Sequence, residues 1–159
     1  MTTLIHAMAY RTSDARRDLL DRVAEATDEL SVALAALGAA YEQLDTNTAD
    51  RLEEQLFRPA QLAYGRARRV HSGFAERHGL PGRTFEPASP GLPSQGVRGF
   101  LERASEAVDN ADETLADLQD SMMPVEVGDA ELRAGLAAVR ELIAQLQVRA
   151  PDLMRTLGR

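Results

Sequence analysis

The sequence predicts an all-α protein, a four-helix bundle in which residues 1–159 form a single domain. Three observations carry this. Apolar residues make up 44% of the chain but aromatic ones only 4%, with alanine and leucine dominant, which suits close-packed helices rather than sheets. Apolar side chains recur at alternating three- and four-residue spacing in four long stretches. Polar or proline-rich strings separate those stretches, and the chain is long enough to close one core.

The first helix is expected over about 13–44. Thr12 or Ser13 has the chemistry of an N-cap, and Asp14 and Asp18 suit the positive helix end. Its seam is Leu20, Val23, Thr27, Leu30, Leu34, Leu37, Tyr41 and Leu44, flanked by the mostly methyl-sized row Leu19, Ala26, Ala33, Ala40. The string Asp45-Thr46-Asn47-Thr48 prefers a turn, and so short a connection folds the second helix back antiparallel.

The second helix, about 48–78, has the seam Phe57, Ala60, Tyr64, Ala67, His71, Phe74 and His78. Pro59 falls inside the pattern without shifting its phase, so one kinked helix is expected. Residues 79–96 hold prolines 81, 87, 90 and 93 and keep no helical period. The Pro-Gly pairs at 81–82 and 90–91 favour turns, which makes an up-down-up-down antiparallel bundle the expected topology. A ferritin-like crossover at this loop, with the second and third helices parallel, is the alternative.

The third helix, about 95–122, opens at Ser94 as a cap and ends at Pro124. The fourth, about 129–157, is capped by Asp129 and passes a second in-phase proline, Pro151, where another kink is expected. Residues 58–83 hold six arginines against one glutamate, whereas the first and third helices are acidic. Placed between them, the basic helix would pair its charges across both seams.

Composition removes several chemistries. With no cysteine there is no thiol nucleophile, disulfide or cysteine metal site. All 18 basic residues are arginine, so no lysine is present for a Schiff base or a Walker-type phosphate loop. The longest uncharged apolar run, Leu30 to Tyr41, is too short to span a bilayer, and no secretory signal stands out, so a cytoplasmic protein without a membrane partner is expected. A net charge of −7 opposes nonspecific nucleic-acid binding.

The chemically capable side chains gather on the second helix. His71 and His78 share one face but stand about 10.5 Å apart along the axis, too far for one ion. Glu-x-x-His and His-x-x-x-His, the spacings of helical metal sites, do not occur. No catalytic residue, metal or cofactor is therefore expected. Tyr64, His71, His78, Arg68 and Arg77 remain as candidate ligand-binding residues, with a functional site expected where this helix enters the proline-rich loop. Tyr64 and Thr27 are expected to form a polar layer in the core. Tyr41 and Asp45 fit a Tyr-x-x-x-Asp pattern that resembles a signal in small helical-hairpin substrates of type VII secretion. The Trp-x-Gly turn of those proteins is missing, since there is no tryptophan, and their function is not carried over.

The functional expectation is a non-enzymatic interaction or scaffold protein, acting through self-association or a protein partner, with Phe85, Leu92 and Met123 as contact points. The alternative is a small-molecule or metal-binding bundle whose site lies at the His71/His78 end.

Overall fold

The computed structural model describes residues 2–157, and among them the chain is helix and loop with no strand. Helix α1 spans Thr2–Glu42, beginning well before the expected start. Thr12 does not cap it. Its Oγ1 donates back to the Met8 carbonyl at 3.0 Å, the i−4 bond that lets a hydroxyl residue sit inside a helix. Core packing begins only at Leu19 and Leu20, so the apolar period marks where α1 becomes buried rather than where it becomes helical.

Asp45 caps α2 (Thr46–Leu52) by accepting from the Thr48 amide at 2.8 Å. A π-helical turn, Glu53–Phe57, joins α2 to α3 (Arg58–Arg77), and the three form one rod. The wide turn comes immediately before Pro59, whose ring crowds the carbonyl four residues back and offers it no N–H. That carbonyl, of Gln55, accepts from Arg149 Nη1 at 3.3 Å instead.

Helix α4 (Gly96–Asp120) follows a 3₁₀ turn at Pro93–Gln95, and Ser94 makes no capping bond to it. Met122 takes a left-handed conformation, and Pro124 starts the short α5 (Met123–Glu126) as well as bounding α4. Asp129 then caps α6 (Ala130–Leu157) through the Leu132 amide at 2.8 Å. Pro151 lies inside α6, and Leu153 beyond it is buried.

The long helices enclose one core in which Ala26, Ala33, Ala36, Ala40, Ala60 and Ala63 are wholly buried. Methyl-sized side chains let the axes approach closely. Helix α1 lies against α3 and α4, and α6 lies against the same two, so α3 and α4 stand on a diagonal. The basic helix is thus flanked by α1 and α6, not by α1 and α4 as its charge suggested. Gly135 marks where α6 meets α3, since a Cβ there would stand 2.5 Å from Val70 Cγ2.

Four bonds fix the chain directions. Gln43 reaches the Pro93 carbonyl at 3.2 Å, placing the start of α4 beside the end of α1, while Arg16 holds the Val127 carbonyl at 3.0 Å at the opposite end. Arg77 meets Asp129 where α3 ends and α6 begins, and Arg149 meets Gln55 near their other ends. So α3 and α4 run the same way, in place of the expected antiparallel order. Residues 78–95 form a strap that climbs α1, tied by Arg83 to Asp28 at 2.8 Å and by the Ala88 amide to Ser31 Oγ at 3.0 Å. The Pro-Gly pairs suit turns, but each proline also biases the residue before it toward extended backbone, and extended backbone at about 3.3 Å per residue covers the distance.

Candidate functional site

The strap leaves a cleft where it departs from α3. One face of α1 lines it with Arg17, Leu20, Asp21 and Ala24, the spacing of successive turns. His71 enters from α3, and Pro81, Gly82 and Arg83 close the side toward the strap. The cleft measures about 430 Å³ and opens to solvent.

His71 is 4% exposed, and its Nδ1 atom has no hydrogen-bond partner. Phe85 from the strap meets the imidazole edge-on at 5.3 Å between ring centroids, while the Arg83 guanidinium lies 4.8 Å over the Phe85 ring. Burial pushes the His71 pKa below its ordinary value; the charge of Arg83 pushes the same way and Asp21 partly opposes them. The ring is therefore neutral near pH 7, with one nitrogen able to donate and the other to accept. Arg17 and Asp21 are exposed and enter no ion pair among the described residues.

The other candidate residues lie elsewhere. His78 Nε2 stands 2.9 Å from Asp129 Oδ2 and packs on Phe74. Arg77 binds the same carboxylate through two nitrogens, at 2.8 and 2.9 Å, and also reaches Glu131 at 2.6 Å. Arg77 foremost, then the Leu132 amide and His78, hold the Asp129 carboxyl well below the usual carboxylate range against the opposing cost of burial. This knot clamps the end of α3 to the cap of α6. Tyr64, half-buried, carries Arg68 over its ring at 5.1 Å. Thr27 is buried but donates to its own helix at Val23, 2.7 Å away, so the expected Thr27–Tyr64 layer does not form.

The five residues thus fall into three groups, and only His71 reaches the cleft. Sequence reasoning missed Arg17, Asp21 and Arg83 as its companions. The i, i+4 placing of Arg17 and Asp21 was visible, but nothing along the chain showed that the strap would return over that face. Of the arginines expected to pair with both acidic helices, Arg83 does bind α1, and Arg77 binds α6. Arg58, Arg66, Arg68 and Arg69 make no ion pair among the described residues.

Two other hollows open on the surface, one of about 420 Å³ between α3 and α6 lined by Arg66, Arg69, Arg77 and Gly135, and one of about 210 Å³ lined by Val97, Leu101, Met154 and Leu157. A void between Leu37, Leu101, Val108 and Leu146 measures about 20 Å³, room for about one water. Among the described residues no three His, Asp or Glu side chains converge to hold a metal ion, and no helix is long and apolar enough to cross a membrane. Of the expected contact points Leu92 is 72% exposed, whereas Phe85 leans on His71 and Met123 packs on the core.

No protein-family model matches the chain, and no curated protein or solved structure is detectably similar to it.

Proposed function

We propose that this protein is a non-catalytic binding module, a four-helix bundle with one ferritin-like crossover, that takes a small ligand into the cleft between α1, α3 and the strap. The observation that carries the reading is His71: a side chain almost wholly buried, with an unpartnered nitrogen, at the wall of a solvent-open cleft. A buried polar atom without a partner costs about 1–3 kcal/mol, a cost the fold retains at the wall of the cleft. The cleft volume falls within the range of small-molecule sites. Screening a fragment library against protein labelled at its histidines tests the reading. Ligands should move the His71 resonances and leave His6 in place; a library that moves neither overturns it.

A second reading, self-association, is favoured by the start of α1. Leu4, Ile5 and Met8 are 66%, 66% and 61% exposed, and they continue the helix face that is buried from Leu19 onward. Covered by a second copy together with the exposed Val125 and Met122, they would bury area near the lower limit of a specific interface, about 1,200 Å² in total. Light scattering across a dilution series tests this: a dimer lost in Ile5→Glu supports it, and a monomer at every concentration removes it.

A further inference from the structure

We infer that the cleft selects an oxyanion that carries its own hydroxyl group, with Arg17, Arg83 and His71 binding the charged oxygens and Asp21 accepting the hydroxyl proton. This rests on the cleft being the ligand site.

Charge gives the first argument. The lining holds two guanidiniums and one carboxylate around a neutral imidazole, and although Asp28 offsets the charge of Arg83 from outside the cleft, Arg17 stands without a carboxylate partner and invites a negatively charged ligand. Arg17 is uncommitted, and Arg83 spends one nitrogen on Asp28, leaving the rest of its planar fork for oxygen ligands. Every group but one therefore donates, or in the case of His71 can donate.

The exception sets the specificity. Asp21 can only accept when ionised, and beside a fully deprotonated oxyanion it would repel. Beside an oxyanion that keeps a hydroxyl, the same carboxylate makes a charge-assisted hydrogen bond. Hydrogen phosphate and α-hydroxy carboxylates have this chemistry, whereas sulfate near pH 7 has charge and shape without the proton. The cleft is larger than a bare tetrahedral ion, leaving space for an organic body attached to it.

The test compares inorganic phosphate with sulfate at pH 7 and matched ionic strength, read by the His71 resonances with His78 as internal control. Phosphate should give a saturable shift at His71, with sulfate on the order of tenfold weaker. Asp21→Asn, at an exposed position, should bring the two affinities together, and Arg17→Gln should weaken both. Equal affinities in the unaltered protein, or discrimination that survives Asp21→Asn, would overturn the inference. Glycerol and inositol serve as neutral probes. If they move His71 and phosphate does not, the oxyanion inference falls alone; if none of the probes does, the ligand site falls with it.

Discussion

Pro59 and Arg149, from different rods, meet over a single carbonyl. The proline, lacking an N–H, leaves Gln55 without its ordinary helical donor, and Arg149 Nη1 supplies one from α6 at 3.3 Å. A residue that weakens one helix internally thereby ties it to another.

This pairing makes a coupling prediction. Arg149→Ala should cost about 1 kcal/mol of stability. In a Pro59→Ala background, where residue 59 regains its amide, the same change should cost distinctly less. A double-mutant cycle by urea unfolding measures the difference, and a coupling of zero would mean that the two positions act independently.

The Asp129 knot predicts a dependence on acid. The folded carboxyl titrates below its unfolded value, so its stabilisation is present above about pH 4 and is lost as pH falls toward the folded pKa. Asp129→Ala should destabilise the protein by about 1–2 kcal/mol at pH 7, through loss of the cap and of the Arg77 bond. The gap to the unaltered protein should narrow below pH 4, which thermal melts across pH would show.

His71 works over a different range. Its folded pKa is depressed, so the unfolded chain binds the proton more readily, and stability falls as pH drops below about 6.5. His71→Phe should remove that slope, and at pH 7 it should match or exceed the parent in stability while losing the ligand response at the cleft. Urea midpoints at pH 5 and 7.5 check the first part, since an unchanged slope would assign the proton uptake to another group.

Gly135→Ala sets helix propensity, worth about 1 kcal/mol in its favour, against a Cβ placed 2.5 Å from Val70 Cγ2. Overpacking costs typically about 1–3 kcal/mol, so the substitution should destabilise. Adding Val70→Ala should reverse the sign, making the double variant more stable than Val70→Ala alone in denaturant titrations.

Local physics was legible along the chain. The seams that begin at Leu20 and Phe57 follow from periodicity, and the Asp129 cap from the preference of aspartate for a helix start. The extension of α1 back to Thr2 was missed although Leu4, Ile5 and Met8 continue the apolar face, because Thr12 is as compatible with a helix interior as with the cap it was expected to be. The cleft was half legible. His71 stood out as a polar residue in an apolar column, but Arg83 and Phe85 come from a strap whose path is set by long-range bonds to Asp28, Ser31 and Gln43, and that path decides which face of α1 the cleft takes. No local rule encodes which helix a proline-rich segment will lie along. The same ignorance misplaced the neighbours of the basic helix.

The strap also shapes how the molecule can assemble. The rods before it and those after it are each joined by a short connection, so each pair can zip up early as a local hairpin. The broad α1–α4 face is different, since it joins residues far apart in sequence and forms only after the intervening chain has closed. The protein is therefore two hairpins on a tether, and the cleft, lined by α1, α3 and the tether alone, draws no residue from the second hairpin.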